Sequence, residues 1–247
     1  MVATDRPLER RTAARTAVIW DALAPLLSAD QAGGMHVLDI GGGTGTMSVR
    51  VAKMGHRVTV VDPSPDALAA LDRRAHESNV AEQVTGIQAD LADLPSLLGD
   101  TIVGPVDLVL CHGLLGLLSD HAQALRTIGS ALRPGGHLSL VVGQRHAAVL
   151  ARAMAGHFAQ AHALLDGDEA DGAEHRFSVK EIGDLLAATD FEVAAVHAVR
   201  VFADLVPASL LDLEPGAHAA LLELERAVAD RPDYAAMATQ LHLLATR

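Results

Sequence analysis

The segment Val37-Leu38-Asp39-Ile40-Gly41-Gly42-Gly43-Thr44-Gly45 limits the folds open to this chain more than any other. An apolar run stops at a cluster of glycines, and a helical pattern beginning at Thr46 follows directly. A strand, a glycine turn and a helix in that order let a bulky ligand approach the backbone where side chains would otherwise block it. Twenty-one positions after Gly41, a second β-branched run, 57–62, ends in Asp62 followed by Pro63. A carboxylate at the end of the second strand can accept hydrogen bonds from both hydroxyls of a ribose. The pairing suits any cofactor that contains adenosine.

The rest of the chain repeats the alternation. Strands are expected near 35–40, 57–62, 84–88, 106–112, 137–142, 191–201 and 241–245, and helices near 11–27, 46–54, 64–78, 121–132, 147–163, 179–189 and 216–230. That order predicts an α/β fold, a doubly wound, Rossmann-like sheet with helices on both faces. Half the residues are apolar, enough to fill the core of one domain spanning 1–247. Within it, about 144–178 reads as a helical and loop insertion placed to cover a substrate site. Its acidic stretch Asp166-Gly167-Asp168-Glu169-Ala170-Asp171-Gly172-Ala173-Glu174 has no apolar period and reads as a surface loop or a lid. No run approaches the roughly 18 consecutive apolar residues of a membrane span. The first residues, Met1 to Arg6, lack an apolar signal core, so a cytoplasmic location without membrane contact is expected.

The glycine turn alone does not separate nicotinamide dinucleotides from other adenosine cofactors. Thr46 stands where the third glycine of G-x-G-x-x-G would fall, and that glycine serves close helix packing around a pyrophosphate. Asp39 adds a negative charge just before the turn. It would repel a diphosphate and favour ammonium and sulfonium groups, directly or through water. Both details favour S-adenosylmethionine, with S-adenosylhomocysteine as its product. The fourth strand ends at His112, on the carboxyl edge of the sheet beside the cofactor.

Taken together, the 37–45 segment, Val60-Val61-Asp62-Pro63-Ser64, Val106-Asp107-Leu108-Val109-Leu110-Cys111-His112 and Leu132-Arg133-Pro134-Gly135-Gly136 resemble the class I S-adenosylmethionine-dependent methyltransferases. The resemblance implies a seven-stranded, mostly parallel sheet whose last strand, 241–245, runs antiparallel. It also places the adenine against Ile87-Gln88-Ala89-Asp90-Leu91-Ala92-Asp93, where Asp90 or Asp93 could accept the amino hydrogen bond. A narrower likeness covers nearly the whole length and is to the bacterial tRNA 5-carboxymethoxyuridine methyltransferase family, which makes a methyl ester on a wobble uridine. It rests on Arg15-Thr16-Ala17-Val18-Ile19-Trp20, Met154-Ala155-Gly156-His157-Phe158, Val199-Arg200-Val201-Phe202 and Leu221-Leu222-Glu223-Leu224-Glu225, among other segments. By that likeness Arg15 contacts the methionine carboxylate, and Gly42 and Gly43 contact the cofactor backbone in the turn that Gly41 and Gly45 complete. Asp62, with Pro63 beside it, takes the ribose, Leu91 and Ala92 the adenine, and His112 the cofactor edge. The partner it implies is tRNA.

Two departures bear on the acceptor. Where the narrower family has a lysine-rich stretch this chain has the acidic 166–174 segment, and where it has an aromatic residue after the fifth strand this chain has Gly143. Four phenylalanines, one tyrosine and one tryptophan leave few rings to stack a splayed-out base, and a net charge of -12 argues against non-specific affinity for nucleic acid. A small-molecule carboxyl or hydroxyl group is the alternative acceptor, and a cofactor-binding protein without catalysis is a third reading. Methyl transfer from a sulfonium is an in-line displacement that chiefly needs alignment. A carboxylate acceptor, already ionised, needs a cation to orient it, for which Arg200 and Arg145 are the candidates. A hydroxyl or amine would need a base such as His112 or His146. No metal site is expected: Cys111 is the single cysteine, and His157 and His162 are five apart rather than the four that puts two ligands on one helix face.

Overall fold

The computed structural model describes residues 7–28, 33–165, 167, 174–211 and 215–247. In chain order the elements are α1 (Pro7–Ser28), β1 (His36–Ile40), α2 (Thr46–Ala52), β2 (Arg57–Asp62), α3 (Pro65–Glu77), β3 (Val84–Gln88), α4 (Leu94–Leu97), β4 (Val106–His112), α5 (His121–Ala131), β5 (Leu132–Gly143), α6 (Arg145–Met154), α7 (Phe158–Leu165), α8 (Val179–Ala187), β6 (Glu192–Val199), α9 (Ala208–Leu211), α10 (Ala217–Ala229), α11 (Pro232–Ala235) and β7 (Gln240–Thr246). Single 3-10 turns at Leu91–Asp93 and Leu115–Leu117 precede α4 and α5.

The strands form one seven-stranded sheet in the order β3-β2-β1-β4-β5-β7-β6, mostly parallel with β7 antiparallel, as the family resemblance implies. β1 pairs in parallel with β2 on one side and β4 on the other, Leu38 lying opposite Thr59 and Val109. The connections after β1 and β4 therefore leave in opposite directions. That reversal opens a crevice at the carboxyl ends of the two strands, the place where doubly wound sheets bind ligands. Strands covered on both faces need apolar side chains on both, and Val37, Leu38, Ile40, Leu108, Val109 and Leu110 are all buried. β3, at the edge, has no fully buried residue: Val84 and Ile87 are half-buried and the other three are exposed.

The chain divides into two compact units. One comprises 25–141, 183–194 and 243–247 and carries β1 to β4; the other comprises 1–24, 142–182 and 195–242 and carries α6, α7 and α10. In the second, Ala198, Val201, Val228 and Ala238 form a small core against which Phe202 and Tyr234 pack edge to face at 6.0 Å.

Two boundaries depart from the sequence expectation for identifiable reasons. β5 begins at Leu132 rather than near 137, because the turn Arg133-Pro134-Gly135-Gly136 is absorbed into the sheet as a bulge. Its backbone is tied to the last residue, with Gly135 N donating to Arg247 O at 2.7 Å and Arg247 N to Gly136 O at 3.1 Å. The helix expected at 147–163 is two helices. Gly156 adopts φ 78, its N–H bonds Ala153 O at 3.0 Å, and the His157 N–H bonds Arg152 O at 2.9 Å. This pair of bonds closes a helix end and turns the chain into α7. The insertion expected at about 144–178 contains these two helices; the lid proposed at 166–174 falls, apart from Gly167 and Glu174, outside the described residues.

Candidate active site

At the end of β1 the glycine turn is shaped by what lies beneath it. A β-carbon on Gly42 would sit 2.7 Å from the Asp39 carboxylate and 2.9 Å from a Val60 methyl, so any larger residue would force those side chains to shift. A β-carbon on Gly45 would sit 2.0 Å from Leu71, and φ 73 there places the residue in the left-handed region. Asp39 itself is buried and accepts a hydrogen bond from the Ser48 hydroxyl. Its charge therefore lies under the turn, joining β1 to α2, where it acts on the turn from below. Cys111, on the adjoining strand, has its thiol pushed up to about 12 by burial and then by the Asp39 charge, which makes it a poor nucleophile.

Asp62 ends β2 and is almost fully buried. One carboxylate oxygen accepts from the Gly43 N–H at 2.8 Å and the other from the Ser64 N–H at 2.9 Å. Two backbone donors fix the carboxylate against the glycine turn, and each oxygen retains a lone pair for a further donor. Ser64 then caps α3, accepting from the Ala67 N–H at 3.2 Å, with Pro65 in the first turn.

A cavity of about 320 Å³ opens beside this clamp, bounded by Gly41, Pro63, Asp90, Leu91, Ala92 and, from the α5 side, Leu114, Leu118, Asp120, Gln123 and Thr127. It is large enough for an adenosine and mainly apolar with a few polar groups, the usual make-up of a cofactor pocket. The structure separates the two carboxylates that the sequence left equivalent. Asp93 folds back to accept from the Asp90 N–H at 3.1 Å, while Asp90 accepts from the Ala92 N–H at 2.7 Å and lines the cavity. The α5 side of the pocket was not singled out from sequence. Its signal is Asp120, which caps α5 by accepting from the Gln123 N–H at 2.8 Å, a helix start recognisable as Asp120-His121-Ala122-Gln123.

His112 stands at the end of β4, where its Nε2 pairs with the Ser139 hydroxyl at 2.8 Å. The other expected residues lie in the second unit. Arg145 bonds the Arg176 carbonyl at 3.1 Å and forms an ion pair with Glu181 at 2.6 Å, so its charge is already matched. His146 is exposed, with Nδ1 accepting from the Gln144 amide at 3.3 Å. Arg200 follows β6 with φ 61 and pairs with both Asp204 oxygens, at 2.6 and 2.5 Å, while its buried Nε has no hydrogen-bond partner among the described residues. Arg15 is half-buried on α1.

Sequence reading did not single out Glu225. It is fully buried. Its carboxylate accepts from the backbone N–H groups of Val201 at 2.9 Å, Phe202 at 2.9 Å and Ala203 at 2.7 Å. It thereby holds the turn that presents Arg200.

A family described as a methyltransferase domain matches residues 38–138, the span that contains the glycine turn, Asp62, Asp90 and His112. The chain is an S-adenosylmethionine-dependent methyltransferase. It is similar to the tRNA 5-carboxymethoxyuridine methyltransferase of Escherichia coli, with 28% identity over 94% of this chain and 88% of that protein. It is also similar to the ubiquinone biosynthesis O-methyltransferase of Xanthomonas euvesicatoria, 31% identical but over 50% of this chain and 49% of that one. Among solved structures, the magnesium protoporphyrin IX methyltransferase of Synechocystis with bound S-adenosylhomocysteine superposes with a TM-score of 0.62 at 15% identity, covering 97% of this methyltransferase and 85% of that protein. Among the described residues no group of side chains could hold a metal ion, and no helix is long and apolar enough to cross a membrane.

Proposed function

We propose that this methyltransferase esterifies the carboxylate of 5-carboxymethoxyuridine at the wobble position of tRNA. The observation that carries the reading is the reach of the similarity to the E. coli enzyme, 94% of the chain, well beyond the methyltransferase domain at 38–138. Two outlying segments of that likeness, Arg200-Val201-Phe202 and the α10 segment Leu221–Glu225, are joined in the structure by the Glu225 hydrogen bonds. The physical reason for keeping both is a single device that presents Arg200.

In this reading Asp62 accepts the ribose hydroxyls, Asp90 the adenine amino group, and Pro63, Leu91 and Ala92 form the pocket wall. Gly41, Gly42, Gly43 and Gly45 admit the cofactor backbone, Asp39 supplies a negative field beneath it, His112 borders it, and Arg15 holds its methionine carboxylate. S-adenosylmethionine supplies a methyl group on a positively charged sulfur. An ionised acceptor carboxylate needs no base, only a cation to align it. Both arginines already carry an ion pair, Arg200 with Asp204 and Arg145 with Glu181; Arg200 suits the role better because its Nε makes no hydrogen bond among the described residues.

The second reading is a small-molecule carboxyl or hydroxyl acceptor, with His146 as base. The net charge of -12 favours it. Incubation with labelled S-adenosylmethionine and total RNA from a strain lacking the gene, followed by nucleoside mass spectrometry, tests both. The methyl ester of 5-carboxymethoxyuridine is expected; RNA left unlabelled while a metabolite extract is labelled overturns the tRNA reading.

A further inference from the structure

The 45 residues from His121 to Leu165 contain no Asp or Glu, although the whole chain holds 31 acidic residues. The same run carries Arg126, Arg133, Arg145 and Arg152, and it ends in the hairpin of α6 and α7. On α6, His146, Leu150 and Met154 follow one another at every fourth position, and all three are exposed. On α7, Phe158, His162 and Leu165 fall on one face at i, i+4 and i+7 and are exposed, while Ala161 at the edge of that face is buried. Met154 is 69% exposed and Phe158 71%. A chain with only six aromatic residues, four Phe, one Tyr and one Trp, thus leaves one phenylalanine outside its core, next to the helix break at Gly156.

We infer that the α6–α7 hairpin is a docking surface for single-stranded RNA, the anticodon loop in the reading given above, on which this inference rests. Bases stack on exposed rings without regard to sequence, and arginine neutralises the phosphates between them. Phe158 and Met154 supply the stacking surface. Arg152, exposed on the same hairpin, supplies the cation. Charge selects RNA over the other evident occupant, a second copy of this chain: Arg145 is matched by Glu181, but Arg152 is exposed without an ion pair among the described residues, so a self-contact would press two like charges together whereas a polyanion is attracted.

The test uses the full chain, tRNA from a strain lacking the gene, and four variants: Phe158→Ala, Met154→Ala, Arg152→Glu and, outside the hairpin, Leu224→Ala. Fluorescence anisotropy reads tRNA affinity, methyl-ester formation reads activity, and calorimetry with S-adenosylhomocysteine confirms that each variant is folded. Expected are about fivefold or greater losses of tRNA affinity for Phe158→Ala, and for Arg152→Glu a log-log salt slope shallower by about 0.7 or more. Leu224→Ala should bind tRNA as the parent does, and cofactor binding should stay within about twofold throughout. If the parent methylates tRNA and the hairpin variants bind it equally well, the docking inference fails while the functional reading stands. A parent that neither binds nor methylates tRNA overturns both. A dimer that Phe158→Ala dissociates, with tRNA affinity unchanged, assigns the face to self-association and overturns the inference.

Discussion

Glu225 and Phe202 are joined through a hydrogen bond of 2.9 Å from the Phe202 amide to a carboxylate that no solvent reaches. A buried carboxylate is tolerated only where donors surround it, and the amides of Val201 and Ala203 complete the set. Glu225→Gln replaces one acceptor oxygen with an amino group facing those donors. It should lower stability by about 2–4 kcal/mol, as hydrogen bonds to charged groups are lost and one amide is left unpaired. Urea denaturation measures it. Activity, assayed below the new melting range, should also fall, because the turn that carries Arg200 loosens.

Asp62→Ala removes the clamp between the glycine turn and the start of α3. S-adenosylhomocysteine affinity should drop by about 30- to 150-fold, corresponding to about 2–3 kcal/mol of charge-assisted hydrogen bonding. Titration calorimetry reads this directly. Affinity within a factor of three of the parent would remove Asp62 from the site.

Asp90 and Asp93 should separate. Asp90→Ala should weaken S-adenosylhomocysteine about tenfold, since Asp90 lines the cavity, whereas Asp93→Ala should change affinity by less than about threefold. The reverse order in the same calorimetric series would reassign the adenine contact.

Gly42→Ala places a methyl group against the Asp39 carboxylate and Val60. Overpacking of this kind costs about 1–3 kcal/mol. Thermal denaturation should show the loss even without cofactor, which distinguishes a packing effect from a binding effect.

Acid should destabilise the fold before any carboxylate titrates. Burial lowers the His36, His137 and His197 pKa values below the ordinary 6.5, aided at His36 by the Arg57 charge and at His137 by Arg133, and opposed at His197 by Asp230. The unfolded chain therefore takes up protons first as pH falls. Their stabilising contribution is complete above about 6.5 and declines as pH drops through 6.5 towards the lowered folded values. Asp107, whose burial is outweighed by hydrogen bonds from Arg133 and His36, adds a second loss below 3.8. Urea midpoints measured from pH 7.5 to pH 5 should fall steadily; a flat profile would contradict the histidine account.

Much of the sheet was legible because burial on both faces demands uninterrupted β-branched and apolar runs, as in Val58 to Val61 and Leu108 to Cys111. The glycine turn and Asp62 were legible because their spacing has one use in such a sheet. Direction was not. Sequence places Asp90 and Asp93 three apart but gives no sign that one turns back as a cap, and it presents Asp39 as a charge before the turn without placing it under Gly42. Partners distant in the chain were hidden for the same reason: 24 residues separate Glu225 from Val201. The break at Gly156 could have been read, since a glycine in a helical run of alanines marks a left-handed end.

The solitary Cys111 has a use at the bench. Buried in β4 with its thiol pushed up to about 12, it is inert to maleimides at neutral pH. An Ala159→Cys substitution on the exposed surface of α7 would then be the one thiol open to a fluorophore, with no need to engineer the native cysteine away. A dye at that position would stand beside Phe158. Quenching or a polarity shift on adding RNA would report the hairpin's surroundings in real time, in a molecule otherwise unchanged.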